Sequence, residues 1–370
     1  MMNVTVGQIV NVMNELAPPK LAYEGDPIGL HVGSYQNKVK RVMVTLDVLE
    51  NVVDEAIENK VDLIIAHHPF IFRPLKNIDF NSEKGRIIKK LILNNISVYA
   101  AHTNLDIAVN GVNDMLMKQL NINDYDILIN TYNEKLYKFV VFVPTSHEEQ
   151  LRNAISDAGA GHIGNYSHCT FNSEGTGTFK PLEGTNPYVG ETNKLEKVPE
   201  IKMETVVSEQ LLNQVVNAAK QAHPYEEMAY DIYPLNLNGN SYGLGRIGTL
   251  SEPMRLEQFA KYVKEAFNVP FVRMVGDADK QVKKVAVIGG DGNKYIHDAK
   301  RRGADVLITG DVYFHTAHDA LGIGLSMIDP GHHIEHVMKK ELAQMLKNKL
   351  GDQVDIVVSD VITEPFKIVY

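Results

Sequence analysis

Between residues 39 and 106 the chain reads VKRVMVTLDV (39–48), a helical stretch from Asn51 to Asn59, VDLIIAHHPF (61–70), the helical KGRIIKKLILNN (84–95) and ISVYAAHTNLD (96–106). Short β-branched apolar runs separated by stretches of helical period predict βαβαβ and a largely parallel sheet, because a parallel crossover needs a helix-length connection. The last third repeats the plan with VKKVAVIGGDG (282–292), NKYIHDAKRR (293–302), ADVLITGDV (304–312), GIGLSMIDPGHH (322–333) and a long amphipathic helix through Lys349. One constant offset lays Val39-Lys40-Arg41-Val42 on Val282-Lys283-Lys284-Val285 and Asp62-Leu63-Ile64-Ile65 on Asp305-Val306-Leu307-Ile308. The ends of the chain are therefore read as two similar βαβ-type halves of one α/β domain. The same register sets Ala66-His67-His68 on Thr309-Gly310-Asp311, so each half puts polar groups just beyond a buried strand.

The segment between the halves differs in character. LYKFVVFVP (136–144) reads as a strand, HEEQLRNAISDAGA (147–160) as a helix and residues 161–192 as a hairpin with long loops. IKMETVVS (201–208), the helix EQLLNQVVNAAKQA (209–222) and a strand near MAYDIYPL (228–235) follow. That order, βαββαβ, is the ferredoxin-like plan. The expected organisation is thus 1–132 and 241–370 for the halves, with an inserted ferredoxin-like α+β domain at 133–240. NINDYDILINTYNE (121–134) and NLNGNSYGLG (236–245), rich in Asn, Gly and Asp, are expected to be the crossing linkers.

Composition narrows the function. At 370 residues with 44% apolar content the chain can bury a sizeable core, and two domains are the expectation. A formal charge of −9 without a block of Lys and Arg argues against nucleic acid as a partner. No apolar run reaches the ~18 residues of a membrane span, and MMNVTVGQIVNVMNEL lacks the basic and apolar regions of a signal peptide, which points to the cytoplasm. The lone Cys169 has no partner for an internal disulfide and takes no role here.

Three strand ends carry imidazole and carboxylate. His67 and His68 follow one buried strand and precede Pro69, at the carboxyl edge where open α/β sheets bind ligands. His102 and Asp106 follow the next; the carboxylate can bridge two cations or simply cap a turn, and His102 can be a ligand, an outer donor or a core residue. In Asp329-Pro330-Gly331-His332-His333-Ile334-Glu335-His336, Asp329 reads as a helix N-cap with Pro330 first in the helix. His332 and Glu335 then share a face at i, i+3, and His336 competes at i+4. Imidazoles and carboxylates crowded into one crevice are costly to bury unless paired, protonated or metal-bound. Five N/O donors without a thiolate suit Zn, Fe, Mn or Ni, and five with a bridging carboxylate suit two ions. Asp311 and His315 are candidates for outer orientation or proton transfer, beside a bland reading as solvated loop residues. Gly289-Gly290-Asp291-Gly292 lacks a nucleotide fingerprint and reads as a tight turn, as does His223-Pro224-Tyr225-Glu226-Glu227.

HHPF after a strand, HTNLD after the next and a C-terminal DPGHxxE resemble the Nif-three-like dinuclear metal-centre family, often labelled GTP cyclohydrolase I type two homologues. The likeness covers residues 1 to about 130 and 245–370, and the middle segment is similar to the ferredoxin-like insert of longer members. It implies two similar α/β halves, a homohexameric toroid, and two divalent ions per chain, Zn foremost, on His67, His68, Asp106, His332 and Glu335. Many members place the Glu four residues after the His, where this chain has His336. The expected function is a metal-dependent hydrolase or cyclohydrolase acting on a small molecule, with Asp311, His102 or His315 moving a proton. The alternative is a non-enzymatic metal-binding adaptor.

Overall fold

A computed structural model describes residues 4–369. Its contacts divide the chain into two compact units, one built from the residues up to Tyr132 and from Tyr242 onward, the other from Asn133–Ser241.

The first unit opens with helix α1 (Val6–Leu16), started by a reciprocal cap in which the Thr5 hydroxyl accepts from the Gln8 N–H and the Gln8 side chain accepts from the Thr5 N–H. Strands β1 (Gly29–Val32) and β2 (Arg41–Thr45), helix α2 (Glu50–Glu58), strand β3 (Leu63–Ala66), helix α3 (Glu83–Leu93) and strand β4 (Ser97–Ala100) follow. Short helices α4 (Thr103–Ile107) and α5 (Val112–Gln119) complete this half. β2, β3 and β4 are parallel, and β1 lies antiparallel on the outer side of β4. Every residue of β3 and β4 is buried, as expected of parallel strands covered on both faces.

Strand β5 (Tyr125–Pro144) leads into the second unit, which comprises α6 (Glu148–Asp157), β6 (Thr170–Phe179), β7 (Glu196–Ser208), α7 (Leu212–Ala222) and the start of β8 (Tyr230–Arg255). The element order is βαββαβ and the strands lie side by side as β6-β7-β5-β8. Phe139, Val141, Leu151, Ile155, Met203 and Val215 form its core. His223 spends both ring nitrogens on backbone, at 2.8 Å from the Phe142 carbonyl and 3.1 Å from the Tyr225 N–H, so it builds a turn. The expected linkers are a correction: 125–134 lies within β5 and 236–245 within β8. These strands are neighbours, and ladder pairing supplies backbone partners that override the weak strand preference of Asn and Gly.

The chain then forms α8 (Leu256–Ala266), β9 (Arg273–Val275), β10 (Gln281–Asp291), α9 (Ile296–Arg301), β11 (Val306–Gly310), α10 (Phe314–Gly322) and β12 (Ser326–Asp329). A 3₁₀ turn over His332–Val337 runs into α11 (Met338–Leu350), and β13 (Asp355–Val358) returns to pair in parallel with β2. The protein is thus mixed α/β with two sheets. The internal repeat has a hydrogen-bond signature. Asp62 Oδ2 accepts from the Lys40 and Arg41 N–H groups at 2.7 and 3.0 Å, and Asp305 Oδ2 accepts from Lys283 and Lys284 at 2.9 and 2.8 Å. Val42 lies opposite Leu63 as Val285 lies opposite Val306. Ser97 N–H donates to the Asp62 carbonyl, and Ser326 N–H to that of Asp305. One core, including Ile9, Val44, Leu63, Leu116, Phe259, Val287, Ile308 and Met338, runs through both halves. Within it Arg246 is held by both oxygens of Asp114 and by the carbonyls of Ala108, Gly243 and Gly245. Among the described residues no helix is long and apolar enough to cross a membrane.

Candidate metal centre

Backbone pairing continues one residue pair past β3: the His67 N–H donates to the Thr45 carbonyl at 3.2 Å and the His68 N–H to that of Leu46 at 2.9 Å. The two imidazoles are thereby fixed at the sheet's carboxyl edge before Pro69 turns the chain. Their rings lie 5.1 Å apart. Asp106 is presented by α4, and Glu335 by the 3₁₀ turn after β12. The repeat relates these carboxylates, since Asp106 lies nine residues beyond Ser97 and Glu335 nine beyond Ser326.

The helix start at His332 corrects one expectation. Gly331, at φ +88°, occupies the cap position, while Asp329 is the last residue of β12 and uses its carboxylate on the Gly331 and Val312 N–H groups and on Arg273. The turn is 3₁₀, where residues three apart eclipse each other. Glu335 therefore sits over His332, with Glu335 Oε2 3.3 Å from His332 Nε2. His336, one residue on, swings away to face His333 with ring centres 5.0 Å apart, and joins no ligand group.

Glu335 Oε2 is the hub, 2.9 Å from His68 Nε2, 3.3 Å from His332 Nε2 and 3.8 Å from His67 Nε2. Asp106 Oδ1 is 3.5 Å from His67 Nε2. Three overlapping groups bring their donor atoms within 4.8 Å of one another: His67, Asp106 and Glu335; His68, His332 and Glu335; and His67, His68 and His102. All five residues expected as ligands converge, and His102 joins them. Asp311 stands just outside, with Oδ2 2.6 Å from His332 Nδ1. His315 does not converge; it is exposed on α10, its ring packed against Phe314.

Each imidazole is held from behind. His67 Nδ1 is 2.9 Å from the Ala101 carbonyl, His68 Nδ1 2.7 Å from Asp47, His102 Nδ1 2.8 Å from Asp26 and His332 Nδ1 2.6 Å from Asp311. A carbonyl can only accept, so His67 carries its proton on Nδ1 when neutral and offers the Nε2 lone pair to the site. Asp26 and Asp47 escaped the sequence reading. Asp47 stands two residues past the end of β2, so the strand-end criterion that selected His67 extends to it. Gly290, at φ +62°, is likewise more than a turn: a Cβ there would lie 2.7 Å from Glu335 Oε1 and 3.1 Å from His332 Nε2.

The electrostatics fit a cation. His67, Asp106 and Glu335 are 0%, 7% and 3% exposed. Burial pushes the Asp106 carboxyl up to about 6. Burial opposes charge on His68 too, but hydrogen bonds that the imidazole donates to Asp47 and Glu335 outweigh it and lift this imidazole to about 10; Glu335 and Asp311 raise His332 to about 9 against the same penalty. Those imidazoles in turn hold Glu335 below the usual carboxylate range despite its burial. His67 Nε2 and Asp106 Oδ1, facing each other, are both buried without a hydrogen-bond partner. Such atoms are costly to leave unpaired, and a divalent ion accepts lone pairs from both.

The model of the family described as Duf34/NIF3 (NGG1p interacting factor 3) matches residues 4–365. The protein named GTP cyclohydrolase 1 type 2 homolog of Bacillus subtilis is 53% identical over 362 residues, 97% of each chain. Its namesake in Halalkalibacterium halodurans is 52% identical over 369 residues, 99% of each. A solved Bacillus cereus protein related to NIF3 superimposes with a TM-score of 0.94 at 50% identity over 99% of both chains. A Staphylococcus aureus protein does so at 0.80 and 32%, over the whole of both.

Proposed function

We propose, on the footing that this chain belongs to the Duf34/NIF3 family, that it is a dinuclear metal-dependent hydrolase of cyclohydrolase type acting on a small molecule. The observation that carries the reading is the facing pair of orphaned donors, His67 Nε2 and Asp106 Oδ1, beside a carboxylate within 4 Å of three imidazoles. His67, Asp106 and Glu335 would hold one cation, and His68, His332 and Glu335 a second. The donor set suits Zn, Fe, Mn or Ni, with Zn foremost. Bound there, such ions would supply Lewis acidity and bring the pKa of water toward neutrality. Asp47 and Asp311 fix the His68 and His332 rings, which keeps the donors aimed during turnover. His102, tethered by Asp26 beside the group, gives or takes the proton.

The name GTP cyclohydrolase 1 type 2 homolog, carried by the Bacillus subtilis relative, makes a purine nucleotide the first substrate to try. The proposal includes a cytoplasmic homohexamer with a ferredoxin-like insert at 133–240, for which light scattering on the purified chain is the check of assembly. Elemental analysis should give two divalent ions per chain, and His68→Ala with Asp106→Ala should abolish both ions and turnover on a panel of nucleotides, phosphodiesters and cyclic amides. Turnover that survives this double substitution sinks the enzymatic reading. Tight metal retention with inactivity across the panel favours a metal-binding adaptor instead.

A further inference from the structure

Residues 359–369, beyond β13, have no regular secondary structure, yet they are pinned at named points. The Ser359 hydroxyl and the Asp360 N–H donate to the two oxygens of Glu55 at 2.5 and 2.8 Å. Lys339 Nζ donates to the carbonyls of Ser359 and Val361 at 2.8 and 3.3 Å. From the next residue on, the segment lines a cavity of about 1620 Å³ that His68 and His332 also line. There the buried Thr363 donates its hydroxyl proton to Asp47 Oδ2 at 2.5 Å, while the other oxygen of the same carboxylate is 2.7 Å from His68 Nδ1.

We infer that Thr363 is a positioning residue of the metal centre, holding His68 toward the cation through Asp47. The inference rests on the reading of His68 as a ligand. A carboxylate bonded through one oxygen can still swing about its terminal torsion; a donor on the second oxygen stops it. Outer partners of ligating histidines act this way, and their loss costs roughly 10–100-fold in affinity. Thr363 stands one layer further out, so an effect at the lower end, about 5–10-fold, is expected. The chain's end thereby takes part in a site whose visible motifs stop at Glu335. In the second half His332 is held in the same way by Asp311, which follows the preceding strand β11.

The test compares wild type with Thr363→Val, which keeps the shape and removes the hydroxyl, Thr363→Ser, which restores it, and Asp47→Asn. All four are loaded with Zn, and release to an excess of chromogenic chelator is followed together with the melting temperature of the metal-free proteins. The inference predicts about 5–10-fold faster release of one ion from Thr363→Val and from Asp47→Asn, wild-type release from Thr363→Ser, and metal-free melting like that of wild type in both Thr363 variants. Wild-type release from Thr363→Val overturns it, as does a Thr363→Ser protein that behaves like the valine. If release quickens and metal-free melting falls together in both Thr363 variants, the residue is structural and the inference fails. A wild-type chain that binds no Zn overturns the metal reading and this inference with it, which separates the two failures.

Discussion

Stripped of cations, His68 and His332 keep their protons to about pH 10 and about pH 9, because neighbouring carboxylates outweigh the penalty of burial. In an unfolded chain both titrate near 6.5. Raised folded pKa values give a contribution to stability that is fully present below about pH 6.5 and is lost as pH rises through 9 to 10. The chelated protein should therefore melt progressively lower from pH 7 to 10. A melting temperature that stays level or climbs over that range contradicts the assigned pairing. Cations compete with the same protons, so metal affinity should strengthen over this interval. At Gly290 a methyl group would press on Glu335 Oε1 in a left-handed backbone. Gly290→Ala should cost about 1–2 kcal/mol from the conformation and reduce bound metal, read by elemental analysis. Retention of full metal content would show that the glycine is there for the turn alone.

At the scale of elements, the parallel strands were legible because β3 is a continuous apolar run, β4 is one interrupted only by Ser97, and polar residues follow each. The offset between Asp62 and Asp305 held because each aspartate receives two backbone N–H groups at the entrance of its half. The turn after β12 was misread for a local reason: Asp-Pro looks like a cap, but Asp329 is drawn off by Arg273 and by backbone donors. That shift to a 3₁₀ start places Glu335 beside His332 and turns His336 toward His333. Residues 125–134 and 236–245 were misread because pairing between neighbouring strands leaves no trace in local composition. The Arg246–Asp114 pair, equally invisible from sequence, ties α5 to β8 in the core. Asp114→Ala would leave a buried guanidinium with its charge uncompensated. It should lose about 3–5 kcal/mol in denaturant unfolding, far beyond an exposed pair such as Arg41 with Asp355, which is worth about 0–1 kcal/mol.

For the whole molecule, a ligand that binds only the folded state stabilises it by mass action, by about 2.7 kcal/mol at a hundredfold excess over Kd. Chelation should therefore lower the melting temperature of wild type, re-addition of Zn should restore it, and His67→Ala should respond to neither. A wild-type chain indifferent to chelator would remove the centre from the forces holding the fold together. The donors also come from opposite ends of the polypeptide, His68 and Glu335 standing 267 residues apart. During synthesis the early imidazoles leave the ribosome long before their later counterparts exist. A chain cut short before Glu335 by a stalled ribosome or a protease lacks half of these donors, so an ion held by both sets would report that synthesis had passed that residue.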